Sequence, residues 1–159
     1  MESLGETKFI EIVNAMSAYD LKIAILACGF GEFRGEILQL ADRGLVTIQT
    51  DAGFDAIGSG SDLAFAWLFE REYALSMSEQ EALYYVYEAK KMAEKASGVG
   101  KQTDILMFNW RGSVPTGETD LEKLERIRRR LKPGNLSDND KKIINDLHVI
   151  KGLRDIVTP

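Results

Sequence analysis

The chain has 159 residues, of which 45% are hydrophobic and 28% charged, which is the size and composition of one globular domain with its own core. A net charge of -5 does not favour binding to nucleic acid or to an anionic membrane. A single cysteine excludes an internal disulfide and a cysteine-rich zinc site. No apolar segment approaches the ~20 residues of a membrane helix and no signal peptide is evident, so we expect a cytoplasmic protein.

The first third of the chain predicts one helix followed by strands. Residues 6–19 have the apolar periodicity of an amphipathic helix. The apolar run at residues 22–28 predicts a strand that is buried on both faces, and it leads into a glycine-rich turn, Gly29–Gly35. Residues 45–49 alternate as a strand does, and residues 54–57 predict a further short strand. The apolar face of the helix consists of Phe9, Ile12, Val13 and Met16.

Two helices and a strand are predicted next. Residues 62–75 are apolar almost all round in their first turns, which indicates a helix buried on more than one side. Ser78 and Glu81 have the spacing of a capping box, and the helix that they open is predicted to end near Ser97. A strong strand is predicted at residues 103–110. Small or short side chains recur on one face of the second helix, at Ala82, Val86, Ala89, Ala93 and Ala96.

The composition changes after residue 111. Residues 112–117 are rich in turn-forming residues and predict a linker. Thr119 is the predicted cap of a helix that stops at Pro133-Gly134, and Ser137 is the predicted start of a last helix. We therefore divide the chain into a core at 1–111, the linker, and a helical extension at 118–159. The extension carries a net charge of +2 against -7 for residues 1–117, and it could act as an adaptor.

One alternative for the first glycine-rich turn is a nucleotide site. In a dinucleotide fold such glycines let backbone amides approach a pyrophosphate at the start of a helix, and Asp51 lies 22 residues after Gly29, where a ribose-binding acid is expected. Residues 36–43 are short for the crossover helix that this NAD(P)-binding α/β enzyme requires, and the same turn fits a hairpin equally well. The residues of this alternative site are Gly29, Gly31, Gly35 and Asp51.

A different assignment rests on the order of several motifs. A hairpin with Asp42 and Gly44 is followed by Gly58-Ser59-Gly60, a helix with alanines, a capped second helix, Ser97-Gly98 and a strand. This succession, over about residues 20–110, resembles the C-terminal half of a proteasome-type subunit of the N-terminal-nucleophile (Ntn) hydrolase fold. The resemblance implies an α+β fold that is half of a four-layer αββα sandwich, with a mainly antiparallel sheet and two long helices. The positions that match the support residues of the family's site are Ser59, Glu94 and Ser97, where Glu94 replaces an aspartate.

The resemblance also implies that catalysis is absent from this chain. Active members expose an N-terminal threonine, serine or cysteine whose amine acts as the general base. Here Met1 precedes Glu2 and is expected to remain, Thr7 opens a helix, and the family's N-terminal strands with their lysine have no counterpart. We therefore expect a non-catalytic or truncated threonine-hydrolase homologue without cofactor or metal. Because a sheet covered on one side exposes an apolar face, we also expect a homo-oligomer or a partner chain that covers it.

The remaining candidate residues have structural explanations. Cys28 lies in an apolar run and is expected in the core, and His148 is expected on the last helix, at its surface or in its packing. Asp51 and Asp55 flank a turn and could hold a cation, although carboxylates there are more often solvated. The arginines near the end of the 118–131 helix suit an acidic partner or nucleic acid, but they are more simply explained by the helix dipole: Arg126, Arg128, Arg129 and Arg130.

Overall fold

The structure, a computed structural model, describes residues 4–18, 23–32, 34–41, 45–131 and 136–157. Over these residues the chain forms six helices and two small antiparallel sheets, which confirms the predicted α+β class. In chain order the elements are α1 (Leu4–Ala18), β1 (Ile25–Phe30), β2 (Gly35–Leu40), β3 (Val46–Ile48), α2 (Ser61–Glu70), α3 (Glu79–Ala93), β4 (Leu106–Asn109), β5 (Gly112–Pro115), α4 (Glu118–Arg130), α5 (Asp138–Asn145) and α6 (His148–Val157).

The first sheet has the strand order β1-β2-β3 and is antiparallel throughout. The turn between β1 and β2 is closed by a 2.9 Å hydrogen bond from the Gly31 amide to the Arg34 carbonyl, so the glycine-rich turn belongs to a hairpin. Asp42 and Gly44, which were predicted to lie in the next turn, are outside the described residues. Residues 54–57, predicted as a strand, are irregular because they connect the sheet to α2.

Both faces of the first sheet are apolar. Cys28 pairs with Ile37 in the register, and their side chains lie on the inner face, toward α2 and α3. The opposite, outer face is the one with residue pairs such as Leu38 and Ile48. Five of the six residues of β1 are exposed, so the prediction that it is buried on both faces is wrong for this structure: the described chain leaves the outer face uncovered. The outer face consists of Ile25, Ala27, Leu38, Leu40, Val46 and Ile48.

The predicted helix pair is present, with α3 capped as expected. Ser78 accepts a hydrogen bond from the Glu81 amide, and the Glu81 carboxylate accepts one from the Ser78 amide at 3.1 Å, which completes the capping box. α2 ends at Glu70, earlier than predicted, because the chain turns at Glu72 with a left-handed φ of 51°. α3 likewise ends at Ala93, ahead of Gly98 with its φ of 83°.

The C-terminal region departs from the sequence predictions in three places. Residues 112–115, predicted as linker, form β5 and pair with β4. The residue that caps α4 is Gly117 and not Thr119, and the helix ends at Arg130, ahead of Pro133-Gly134, which lie outside the described residues. The single predicted last helix is two helices, because the chain bends after Asn145.

The hydrophobic core joins α3 to the three C-terminal helices. Tyr84 of α3 is fully buried, as are Leu124 of α4, Ile144 of α5 and Ile150 of α6, and all belong to one cluster. The predicted division at residue 118 therefore does not correspond to a gap in the packing, since α4–α6 supply much of the interior.

A buried carboxylate fixes α6 onto α4. Asp120 lies in the first turn of α4 with 2% exposure, and its two oxygens accept hydrogen bonds from the His148 amide at 3.1 Å and the Val149 amide at 2.9 Å. The first amides of a helix have no partner within the helix, so Asp120 acts as the N-cap of α6 from a distant part of the sequence.

We predict that Asp120→Ala lowers the free energy of unfolding by about 1–3 kcal/mol, because two buried amides lose their acceptor. Urea denaturation measures the loss. Asp120→Asn, which keeps one acceptor oxygen, should lose less, and Glu122→Ala on the exposed side of α4 should lose almost nothing. Equal stability of Asp120→Ala and the parent chain would show that this cap does not stabilise the fold.

The capping box predicts an acid-sensitive stability. Hydrogen bonds from Lys141 and Ser78 lower the pKa of Glu81 from 4.5 to about 2. The ionised carboxylate therefore stabilises the folded chain above about pH 4.5, and this contribution is lost as the pH falls toward 2. We predict that Glu81→Gln flattens the fall in unfolding free energy between these pH values. Glu70→Gln, an exposed change on α2, should keep the parent slope; equal slopes for all three chains would contradict the assignment.

Candidate functional site

The described residues form a cleft of about 1050 Å³, called the central cleft below. It lies between the inner face of the first sheet and the α2–α3 pair, with β4 along one side. The helix pair lies on one side of the first sheet, as expected for a sheet covered on one side, but the central cleft separates the two. Apolar side chains from both walls line it: Leu26, Ile37, Phe54, Ala64, Leu68, Val86, Ala89, Ala93, Leu106 and Phe108.

The glycine-serine turn before α2 forms one end of the central cleft. Ser59 lies in the turn and is exposed, between Gly58, whose φ of 97° requires glycine, and Gly60. A Cβ at Gly60 would lie 2.7 Å from the Ala93 Cβ and 2.9 Å from the Ala93 carbonyl oxygen. The glycine is therefore needed for the close approach of this turn to the end of α3.

Glu94 and Ser97 lie just beyond the same end of α3. The Glu94 carboxylate is half-buried and accepts hydrogen bonds from Lys90 and, at 2.8 Å, from Lys91. Burial on its own raises the pKa of Glu94, but these two ammonium groups outweigh it and hold the pKa below its usual value. Ser97 is exposed, and no hydrogen bond joins Ser59, Glu94 and Ser97 in the described part of the chain. The structure thus brings the three positions to one region without forming a catalytic constellation.

The alternative nucleotide site lacks the geometry that it requires. β1 and β2 are antiparallel, and the residues after Gly35 form a strand where a dinucleotide fold has a helix. Asp51 is almost fully exposed and pairs with Arg34 at 3.0 Å. Without a helix N-terminus after Gly35, the hairpin does not provide the amide and dipole arrangement that binds a pyrophosphate. The prediction of a dinucleotide site at Gly29, Gly31 and Gly35 is therefore not supported by this fold.

Cys28, predicted to lie in the core, is exposed and lines the central cleft. Partial burial and the negative charge of Asp55 raise the pKa of its thiol. Asp55 also lines the central cleft; its Oδ1 accepts a 2.7 Å hydrogen bond from the Ala56 amide, and its Oδ2 is buried without a partner. Asp51, on the other side of the turn, is instead paired with Arg34, and the described residues contain no cluster of three or more potential metal ligands.

The other polar candidates are engaged in structural contacts. Arg128 and Arg129 both pair with Glu125, and Arg130 pairs with the buried Asp140 of α5. His148 was predicted to lie on the last helix, at its surface or in its packing, and it is exposed at the start of α6.

Sequence reasoning missed a buried ion pair between α2 and α3. The Arg71 guanidinium lies 3.6 Å from Glu88, with 10% and 7% of the two side chains exposed, and it stacks over the Trp67 ring at 4.4 Å. Tyr84 donates a 3.0 Å hydrogen bond to Glu88. Burial raises the pKa of Glu88 against the opposing effects of Tyr84 and Arg71. Arg71 directly follows α2 and Glu88 lies in α3, seventeen positions away, so the pair gives no local sequence pattern.

Comparison with protein-family models, with curated proteins and with solved structures finds no match to this chain.

Within the described residues, no helix combines the length and the apolar character needed to cross a membrane.

We predict that Gly60→Ala lowers the free energy of unfolding by about 1–3 kcal/mol, because the added methyl group meets the backbone and side chain of Ala93. Gly100→Ala is the matched control, since a Cβ at Gly100 meets no atom within 4 Å. Urea denaturation measures both variants, and repeating it in an Ala93→Gly background gives the coupling free energy between positions 60 and 93. The cost of Gly60→Ala should be smaller in that background, because the Ala93 methyl group is the nearest atom; an unchanged cost would show that this methyl group does not lie against Gly60 as described.

Proposed function

We propose that this chain is a cytoplasmic, proteasome-like subunit of the Ntn-hydrolase fold, non-catalytic or truncated, that acts within an oligomeric assembly. The proposal is supported by the order of elements that the resemblance requires. A hairpin of β1 and β2 precedes the paired helices α2 and α3, and β4 follows them.

The layer order of an αββα sandwich explains why a cleft would lie between the first sheet and the helix pair. In that order a second sheet separates the first sheet from the helix pair. β4 and β5 form a two-stranded sheet that packs on α6, and Phe108 of β4 contacts Phe30 of the first sheet, with ring centroids 5.5 Å apart. We propose that the central cleft is where the strands of such a second sheet are missing.

The observation that carries the proposal is that both walls of the central cleft are apolar. Leu26 and Ile37 line it from the first sheet, and Ala89 and Ala93 line it from α3. Apolar walls on both sides are expected where further strands are sandwiched between a sheet and a helix layer, because such strands bury their two faces. We propose that another chain, or another segment of the same gene product, supplies these strands.

The proposal assigns no catalytic residue to this chain. The family's nucleophile would have to come from the strands that complete the second sheet, since Ser59 and Ser97 are exposed turn residues and the Glu94 carboxylate is taken up by two lysines. These three positions remain candidates for supporting a site that is completed in the assembly. An adaptor role through residues 118–159 is less favoured, because α4–α6 are part of the core.

The single cysteine provides a direct test. Cys28 lines the central cleft and is exposed, so a thiol reagent should modify it in the purified chain, most readily at alkaline pH because its pKa is raised. The tagged chain is isolated from the cells that produce it, and the species are separated by size. We expect Cys28 in species larger than those formed by the purified chain alone to react at least about tenfold more slowly, because the added strands cover it.

Two variants separate filling of the central cleft from other causes. Val86→Trp fills the central cleft from an exposed position of α3 and should remove the chain from the larger species. Lys95→Trp, at an exposed position that does not line it, should leave assembly unchanged. Recovery of the chain only as a single species, or unprotected Cys28 in the larger one, would refute the proposal.

A further inference from the structure

The exposed apolar surface of the N-terminal half forms two separate patches, one on α1 and one on the outer face of the first sheet. Phe9, Ile12 and Val13 of α1 are 68%, 57% and 42% exposed. Ile25, Val46 and Ile48 of the outer face are 53%, 53% and 71% exposed. Patches of this kind on a chain without a membrane-spanning helix among its described residues mark a contact surface.

α1 requires a contact in order to be stable. It has fifteen residues, and residues 7–15 are all exposed. A helix of this length without tertiary packing is marginal in water, because most helical stability in proteins comes from burial of the apolar face. Phe9, Ile12 and Val13 lie within one turn of each other on the same side of the helix, which gives it a single docking face.

The outer face of the first sheet is a suitable receptor for such a helix. It presents a layer of aliphatic side chains across three strands, with Leu38 of the central strand only half-buried between Ala27 and Ile48. Glu36 is the charged residue at its rim, opposite Gly29. An amphipathic helix packs on an aliphatic sheet face without leaving a buried charge.

We propose that two copies of this chain form a dimer in which α1 of each copy packs on the outer face of the other. Among the described residues, Phe9, Ile12 and Val13 of α1 and the outer face of the same copy are both exposed, so these side chains do not meet within one copy. Each copy carries one helix and one receptor face. A dimer with two-fold symmetry therefore buries both surfaces of both copies, and no surface remains for a third copy.

The area available is adequate for such a dimer. Covering the exposed parts of these side chains in both copies removes on the order of 1000 Å² of apolar surface from water. Added polar and backbone surface brings this to the range of about 1,200–2,000 Å² that is typical of stable interfaces. The inference is independent of the proposed function, because it uses the outer face and α1, whereas the proposed function uses the central cleft.

Light scattering coupled to size exclusion, at micromolar concentration, tests the dimer in the full chain. Ile12→Glu and Ile48→Glu each place a charge in the contact and should raise the dimer dissociation constant about tenfold or more. Asn14→Glu adds the same charge on the opposite side of α1 and should leave the dimer unchanged. Circular dichroism and the melting temperature confirm that all variants fold, since each position is exposed.

Mixing the two disruptive variants tests the exchange of helices. Ile12→Glu retains an intact receptor face and Ile48→Glu retains an intact helix, so an equimolar mixture should form a heterodimer with one of the two contacts. A monomeric parent chain, a dimer insensitive to Ile12→Glu, or a mixture that stays monomeric would each overturn the proposal. Protection of Cys28 in the central cleft is a separate measurement, so failure of either proposal can be recognised without the other.

Discussion

A β-strand that carries apolar side chains on both sides has to be covered on both, and this constraint governs the N-terminal half of the molecule. The register of β1, β2 and β3 puts aliphatic residues on each face of the first sheet. On one side the sheet faces the central cleft, and on the other it faces solvent. Both faces of the first sheet are buried only when further strands fill the central cleft and a helix packs on the outer face.

One side of α3 packs in the hydrophobic core, and the other side borders the open central cleft. The flank with Tyr84 and Tyr87 is buried, and Tyr87 donates a 2.8 Å hydrogen bond to Glu125 of α4. The flank with Ala89 and Ala93 borders the central cleft. Among the described residues, the buried apolar side chains begin at Phe54, so the stable interior lies in the C-terminal two thirds of the chain. The first sheet, on the open side, is joined to β4 by the ring contact between Phe30 and Phe108.

Local sequence patterns predict many of the helices and strands but few of the contacts between them. The capping box at Ser78 and Glu81, the hairpin after β1 and the amphipathic α1 were predictable, because each is encoded within a few residues. β5 was missed because Gly112–Pro115 has the composition of a loop and becomes a strand only by pairing with β4.

Long-range contacts account for the other differences. The break between α5 and α6 is fixed by Asp120, which lies 28 residues before His148 and shows no signal in the local sequence. Cys28 was predicted to lie in the core because its neighbours are apolar. An apolar composition does not distinguish a side chain buried within its own chain from one that only a partner would bury. For the same reason the positions of Ser59, Glu94 and Ser97 near one helix end could be predicted from motif order, whereas the pairing of Glu94 with two lysines could not.

The contact between Gly60 and Ala93 has a mechanical consequence. The Gly60 backbone packs against the methyl group and the carbonyl of Ala93 with no Cβ of its own, so the two segments have little room to move independently. A displacement of the last turn of α3 is therefore carried directly to the turn that holds Ser59. A chain that binds at the central cleft and displaces the end of α3 would therefore also displace the Ser59 hydroxyl.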